Sequence, residues 1–317
     1  MLATRLGRRS KLRHRQRMNE PGYLDRPVTP SNQRPVPHSS GTARPDAQAP
    51  QDACDCHLHI IDSRFPLAAN VGAVPAASVE DYRLLQNRLG TTRAVIVQAK
   101  VHGTDHRCLL DALGKLDGRG RGIGVLHPTV ADTELRRLHD GGMRGLRFSV
   151  WNPVDTVTTI AMIEPLARRI SAFGWHVQLH MSGDQIVEQA ALLDRLPCPL
   201  VFDHMARLPP ALGARHPAYD IVRRLIDKGN AWVKLSGAYL NTEVGPPTYS
   251  DAASLTRSWI RVAPERVVWG SDWPHVTETR PKPDDALLLD LLAHAATDAD
   301  TLSRILVSNP ARLYGFD

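Results

Sequence analysis

Eight short apolar runs, separated by longer amphipathic segments, recur between residues 53 and 270 of this 317-residue chain. Most of the runs show no alternation of polar and apolar residues, which is typical of parallel strands buried on both faces. The predicted strands cover residues 53–61, 93–99, 122–127, 145–150, 176–181, 200–204, 232–236 and 267–270. This repeat predicts an α/β protein built as a (β/α)8 TIM-type barrel, for which about 250 residues is typical.

The segments between the predicted strands have the pattern of amphipathic helices. The segment 79–89 is the clearest, because Ser78 can cap its amino end and Gly90 can terminate it. The other predicted helices cover residues 104–116, 132–140, 158–173, 183–196, 217–228, 252–262, 298–306 and 310–314. An open, doubly wound sheet is the competing architecture, but it usually carries a glycine-rich phosphate loop after its first strand. No G-x-G-x-x-G sequence follows the first strand here, which favours the barrel.

The first fifty residues differ in composition from the rest of the chain. They contain ten of the 39 basic residues but only three of the 33 acidic ones, so this segment carries +7 of a net charge of +6 and the rest of the chain is close to neutral at −1. Proline, serine and charged residues dominate 21–50, which predicts a disordered or extended tail over 1–50 and a barrel domain over 51–317. The arginine-rich run at 5–17 is either an arm for nucleic acid or anionic surfaces, or an extension upstream of a start at Met18. No motif surrounds these arginines, so no nucleic-acid partner is expected.

Targeting signals and cysteine spacing bear on the cellular location. No apolar run approaches the roughly 20 residues of a membrane span, and no apolar stretch follows the Arg8-Arg9 pair as a secretion signal would require. The four cysteines form no C-x-x-C pair. We therefore expect a cytoplasmic protein with reduced thiols and no membrane partner.

The first predicted strand contains the sequence Asp55-Cys56-His57-Leu58-His59. Because side chains alternate along a strand, Asp55, His57 and His59 are expected on one face, where two imidazoles can bind one metal ion. With 14 histidines in the chain, an H-x-H pair is expected by chance about once, so the pair alone is weak evidence.

Further polar residues lie where other predicted strands end. His180 ends the fifth strand, His204 ends the sixth, and Asp272 follows the eighth. A barrel brings the carboxyl ends of its strands to one rim, where barrel enzymes have their active sites. We therefore predict that these three side chains meet His57 and His59 in one metal or catalytic site, since a buried carboxylate needs a cation or a proton.

Several segments together resemble a known enzyme family. They are residues 54–59, 93–100, 102–105, 145–148, 201–207, 268–275 and 308–314. From residue 53 onward the chain resembles the amidohydrolase superfamily, and most closely its lactonase branch, which acts on 2-pyrone-4,6-dicarboxylate, 4-sulfomuconolactone and sugar-acid lactones. The resemblance implies a barrel enzyme that hydrolyses a lactone bearing a carboxylate or sulfonate group.

The resemblance also implies roles for particular residues. His57, His59, His180 and Asp272 would hold one divalent metal ion, with zinc the expected ion. Asp272 would orient or deprotonate the attacking water, and His204 would polarise the carbonyl group or hold the water. The fourth strand offers no lysine or glutamate that could bridge two metal ions, so a single ion is expected.

An anionic lactone also needs cationic groups around its ring substituents. Arg147 matches an arginine that binds a substrate carboxylate in the family, and Lys100 and His102 lie at a strand end. Trp151 and Tyr239 are expected to wall the pocket. Each has an alternative: a buried ion pair for Arg147, ordinary loop positions for Lys100 and His102, and core packing for the aromatic residues.

Other functions remain compatible with these residues. A lactone isomerase or a metal-dependent decarboxylase of the same superfamily would use the same ligand set. A non-enzymatic protein that binds through its basic tail belongs to a different class and would not depend on the histidines.

Overall fold

A computed structural model describes residues 34–69, 71–152, 156–279 and 281–317. Within them, eight parallel strands pair in chain order from the first to the eighth. The strands are β1 Cys54–Leu58, β2 Arg93–Val97, β3 Gly120–Gly124, β4 Met143–Ser149, β5 His176–His180, β6 Leu200–Phe202, β7 Ala231–Leu235 and β8 Val267–Trp269. This order, with helices between the strands, is the predicted (β/α)8 barrel.

The barrel closes between β8 and β1 at the end where the strands finish. Asp272 N donates a hydrogen bond to His57 O, and His59 N donates one to Trp273 O, each at 2.8 Å. The close approach requires Gly270, because a Cβ at that position would lie 2.5 Å from the Cβ of His57. Closure therefore sets Asp272 beside His57 of β1 and His59, which follows the strand.

A β-bulge in β1 decides which of its side chains face the barrel interior. Asp55 pairs with Ala94 and Leu58 with Ile96, so β1 uses one residue more than β2 over this stretch. Asp55 consequently points outward, where its carboxylate accepts hydrogen bonds from Ser271 Oγ (2.6 Å) and Tyr82 OH (3.2 Å). The prediction that Asp55 shares a face with His57 and His59 is wrong, because simple alternation fails at a bulge.

Eleven α-helices lie within the described residues. They are α1 Val79–Leu89, α2 Arg107–Lys115, α3 Asp132–Asp140, α4 Ile163–Ile170, α5 Gly183–Glu188, α6 Ala190–Asp194, α7 Pro217–Asp227, α8 Ser250–Val262, α9 Asp285–Ala296, α10 Ala299–Ser303 and α11 Asn309–Tyr314. The predicted caps of α1 are present: Ser78 Oγ accepts from Asp81 N at 3.1 Å, and Gly90 is left-handed. Sequence reasoning missed α9, because this leucine-rich segment packs against both α8 and α1 and shows no polar stripe.

The barrel interior is divided along its axis. Toward the strand starts it is apolar, with Val95, Ile123, Trp232 and Val268 in one buried cluster. Toward the strand ends it becomes polar, and these polar side chains form the candidate site.

None of the described helices is long and apolar enough to cross a bilayer. All four cysteines are buried and unpaired.

Residues 34–50 form an extended segment, here called the arm, that packs on the barrel. Val36 is buried, and Trp273 Nε1 donates to Pro37 O at 2.7 Å. The buried guanidinium of Arg88 donates to Ala43 O and Ser40 O at 2.8 and 2.9 Å. Of the two forms predicted for the tail, the arm has the extended one. Residues 1–33, including the arginine-rich run, lie outside the described residues.

Candidate metal centre and active site

His57 of β1, His59 directly after β1 and the aspartate after β8 form a compact group of metal-ligating atoms. Asp272 Oδ1 lies 3.5 Å from His57 Nε2 and 3.7 Å from His59 Nε2. One ligand atom from each residue lies within 4.8 Å of the others, and all three residues are buried. The bulge turns both imidazoles inward and the closing hydrogen bonds bring the carboxylate to them.

The other ring nitrogens of these histidines are already occupied. His59 Nδ1 lies 2.9 Å from Val97 O, a group that can only accept, so Nδ1 carries the proton and Nε2 presents a lone pair. His57 Nδ1 lies 3.3 Å from Asp203 Oδ1 and 3.5 Å from Lys234 Nζ. The nearer carboxylate favours a proton on Nδ1, which leaves His57 Nε2 without a hydrogen-bond partner among the described residues.

Asp272 is held in a strained and buried position. Its φ of 65° lies in the left-handed region that a non-glycine residue rarely adopts. Tyr239 OH donates to its Oδ2 at 2.6 Å, which leaves Oδ1 facing the two histidines. Burial raises the pKa of the Asp272 carboxyl to about 6, although the hydrogen bond from Tyr239 opposes the change. A nearby cation would therefore stabilise the ionised form.

His204 and His180 lie next to this group. The ring centroid of His204 is 4.9 Å from that of His57 and 5.1 Å from that of His180. His204 Nδ1 lies 3.0 Å from Ser236 Oγ and 4.0 Å from Asp272 Oδ2. The backbone from His204 to Arg207 stays at positive φ throughout, an unusual conformation that turns the chain sharply after β6.

The fifth strand supplies an imidazole with one bare nitrogen. His180 Nδ1 lies 3.0 Å from Ser149 Oγ, whereas its Nε2 has no hydrogen-bond partner among the described residues. The structure thus brings the five predicted side chains to one rim. His57, His59 and Asp272 share the compact group, His57 and His204 form a second such group with Asp203, and His180 lies beside His204.

Burial keeps these imidazoles neutral. It lowers the pKa of His59 to about 3, with Arg147 contributing in the same direction. It also lowers the pKa values of His57, His180 and His204 well below the usual range. A neutral imidazole is the form that binds a metal ion.

A buried charge network lies directly beneath the group. Asp203 is fully buried, and its Oδ2 accepts from Arg147 Nε at 2.9 Å and from Gln178 Nε2 at 3.1 Å. Lys234, also fully buried, donates to Gln178 Oε1 at 2.7 Å and lies 3.9 Å from Asp203 Oδ1. Burial alone would raise the pKa of Asp203, but His57, Arg147 and Lys234 together hold it well below its usual range. The carboxylate therefore stays ionised and orients His57.

The residues predicted to bind substrate have different surroundings. Arg147 is buried and ion-paired with Asp203, which is the alternative that the sequence left open. Tyr239 contacts Asp272, and Trp151, 41% exposed, stacks on His180 with ring centroids 6.0 Å apart. His102 is buried with Nδ1 3.0 Å from Pro66 O, and Lys100 begins the 3-10 turn Lys100–His102 after β2.

Sequence reasoning missed four polar residues of the site: Gln178, Asp203, Arg207 and Lys234. Lys234 stands inside an otherwise apolar strand, and Gln178 lies between Val177 and Leu179 of β5. Both positions are signals that could have revealed these residues, because a buried polar group needs a buried partner. Asp203 directly precedes His204. Arg207 places its guanidinium carbon 3.9 Å from the ring centroid of Trp151 and donates to Leu240 O.

The donor set fits a divalent metal ion of the zinc type. Two imidazoles with bare Nε2 atoms and one buried carboxylate match the nitrogen and oxygen ligands that zinc takes, with room for water or substrate in a catalytic site. The Asp203 carboxylate behind His57 supplies the outer support that such ligands usually have.

Comparisons with known proteins identify the family of this chain. The profile of the amidohydrolase family matches residues 54–316. The chain is 35% identical over 303 residues to a 4-sulfomuconolactone hydrolase from Rhizobium radiobacter, covering 91% of this chain and 99% of that protein. It is 32% identical over 305 residues to a 2-pyrone-4,6-dicarboxylate hydrolase from Comamonas testosteroni, covering 93% and 96%.

Two further similarities extend the comparison. The chain is 30% identical over 280 residues to a D-galactarolactone isomerase from Agrobacterium fabrum, covering 87% of this chain and 94% of that protein. An apo crystal structure of an Agrobacterium tumefaciens protein superposes with a TM-score of 0.80 at 27% identity, covering 88% and 99%.

Proposed function

This chain belongs to the amidohydrolase family, and we propose that it hydrolyses a lactone bearing a carboxylate or sulfonate group with the help of one divalent metal ion. Its relatives at 32% and 35% identity are named as hydrolases of such compounds, which supports a lactone-hydrolysing enzyme. The observation that carries the proposal is the pair of bare Nε2 atoms of His57 and His59 facing the buried carboxylate of Asp272 at 3.5 and 3.7 Å.

The ligands proposed for the ion are His57, His59 and Asp272, with His180 as the fourth. When bound, zinc lowers the pKa of water toward 7 and polarises a carbonyl group. Asp272 accepts the proton of the attacking water and delivers it to the ring oxygen as the ester C–O bond breaks. His204 holds the water or the carbonyl oxygen. Water adds across the ester bond, so the product is a hydroxy or keto acid and one carboxylic proton is released at neutral pH.

The anionic group of the substrate requires a cation at the rim. Arg147 is the residue proposed to bind it, through the guanidinium nitrogens that do not contact Asp203, while Lys100 and His102 lie at the end of β2. Arg207, stacked on Trp151 beside His180, adds a second guanidinium on the same side. Planar guanidinium groups match carboxylate and sulfonate geometry well.

Elemental analysis and a proton-release assay test the proposal together. We expect about one equivalent of zinc and acid release from a carboxylated muconolactone, with much slower release from its neutral methyl ester. Asp272→Asn should reduce kcat by about 10³-fold. The double variant His57→Ala/His59→Ala should lose the metal, whereas His127→Ala, an exposed histidine after β3, should keep it. A metal-free wild-type chain that releases no acid from any carboxylated or sulfonated lactone would contradict the proposal.

Lactone isomerisation is the second candidate, because one relative at 30% identity is named as an isomerase. An isomerase would change the ring size without net uptake of water. Proton NMR of the products separates the two reactions, since an isomerised product keeps its ester and a hydrolysed one does not.

A further inference from the structure

A cavity of about 510 Å³ lies among the loops that follow β8, β1 and β2. Its lining is mostly apolar, and the apolar residues are Ile61, Val74, Pro75, Val101, Pro274 and Val276. Val276 is 58% exposed, so it presents an apolar side chain to water at the edge of the cavity. Cavities of this size and lining are typical of sites for small organic ligands.

Two residues that line the cavity lie close in sequence to residues of the candidate metal centre. Ile61 lies two residues after His59, and Pro274 lies two residues after Asp272. Val101 lies in the turn that follows β2. The same closing contact between β8 and β1 that joins the metal-binding side chains therefore also positions the cavity wall.

The arm provides another wall. His38, with φ of 62°, lines the cavity and places its Nε2 2.7 Å from Ala76 O. Its ring packs edge-on against Trp273 at a centroid distance of 5.7 Å, and Trp273 Nε1 binds Pro37 O. The arm is thus attached to the residue next to Asp272.

Charges at the cavity edge are balanced. Glu278 and Lys282 both line it, and Lys282 Nζ donates to His275 O at 2.6 Å. The buried Arg147 of the site lies in β4 and the half-buried Arg207 in the turn after β6, whereas the loops after β8, β1 and β2, together with the arm, form the cavity. The two sides of the rim therefore suit different parts of one ligand.

We propose that this cavity binds an apolar alkyl or aryl substituent of the substrate, while the anionic group lies toward Arg147 and Arg207. This proposal rests on the proposed lactone-hydrolysing function only in naming the ligand as a lactone substrate. The preferred substrate is then an amphiphilic lactone, with an anionic group on one side of the ring and an apolar group on the other.

Binding of hexanoate, octanoate and decanoate to the zinc-loaded full-length protein, measured by calorimetry, tests the proposal without turnover. The carboxylate is common to all three, so its contribution cancels in the comparison. We expect the affinity to rise about fourfold per methylene, the factor for removing a methylene from water. A rise of less than about 1.5-fold per methylene would overturn the proposal.

Two variants act on the cavity by different physics. Val276→Asp places a charge in the apolar lining and should weaken decanoate binding at least tenfold. Val74→Phe fills space and should weaken decanoate binding while leaving hexanoate unchanged. The matched control is Val262→Asp, at the exposed carboxyl end of α8 near the strand starts, which should change neither.

The outcomes separate this proposal from the proposed function. A steep chain-length dependence without hydrolysis of any lactone would support the cavity and contradict the function. Hydrolysis of small anionic lactones with equal binding of all three acids would do the reverse. Decanoate affinity that rises tenfold on removal of residues 1–33 would assign the cavity to that segment instead.

Discussion

Replacing Asp203 by asparagine should damage both the fold and the metal site. The carboxylate is fully buried and is the only acidic partner of Arg147 and Lys234 among the described residues. An amide of the same shape leaves two buried cations without a counter-charge, and breaking a buried ion pair in this way costs about 3–5 kcal/mol. His57 also loses the acceptor facing its Nδ1, and loss of such outer support typically reduces metal affinity about 10–100-fold.

Urea unfolding of the metal-free protein in EDTA, followed by tryptophan fluorescence, measures the first effect. Zinc competition against a chromophoric chelator measures the second. Asp194→Asn is the matched control, because that carboxylate pairs with Lys228 in the solvent-exposed surface and should change stability by less than about 1 kcal/mol.

A second substitution tests the cause of the loss. In the Asp203→Asn background, Lys234→Met removes one of the two uncompensated cations and should restore roughly 1–2 kcal/mol of unfolding free energy. Asp203→Asn within 1 kcal/mol of wild type, or unchanged zinc affinity, would refute the reasoning that the network supports the site.

Three further predictions concern separate parts of the molecule. Burial lowers the pKa of His106 to about 4 from an ordinary 6.5, so the unfolded chain takes up this proton first and the free energy of unfolding falls as the pH drops from 6.5 to 4. Relative to His106→Asn, wild type should lose about 3 kcal/mol of unfolding free energy between pH 7 and 4, measured by urea titration. Parallel pH profiles of the two proteins would exclude this. Arg88→Ala should release the arm at a cost of about 3 kcal/mol and speed hydrogen exchange at the Ser40 amide, which donates to Pro283 O, whereas Arg83→Ala on the same helix should not; equal exchange in both variants would contradict it. Tyr239→Phe should weaken zinc binding about tenfold, since Asp272 loses its orienting donor; a raised KM with unchanged zinc affinity would favour the pocket-wall role instead.

The local periodicity of apolar residues was enough to predict most of the fold. Each of the eight apolar runs overlaps one of the eight strands, with bounds that differ by up to three residues, and the caps at Ser78 and Gly90 set the limits of α1. These features depend on side chains a few positions apart, so they can be predicted from the sequence alone. The helix α9 was not predicted, because it is buried against two neighbouring helices and has no polar face.

Residue types at strand ends also indicated the site. His57, His59, His180, His204 and Asp272 meet at one rim because any parallel barrel gathers those ends. The sequence did not show which of these residues form the compact group, since this depends on the bulge in β1 and on the length of each strand. Asp55 shows the limit most directly: one extra residue in β1 turned it outward.

The sequence by itself determined the barrel, the identity of the rim residues and the family resemblance, because strand period and residue chemistry are local properties. The tertiary structure decided which imidazole nitrogens are bare, that Arg147 is paired with Asp203, that Lys234 lies beneath the site, and that the arm walls a cavity. Each of these depends on groups far apart in the chain approaching within a few ångströms, and only closure of the barrel brings them together.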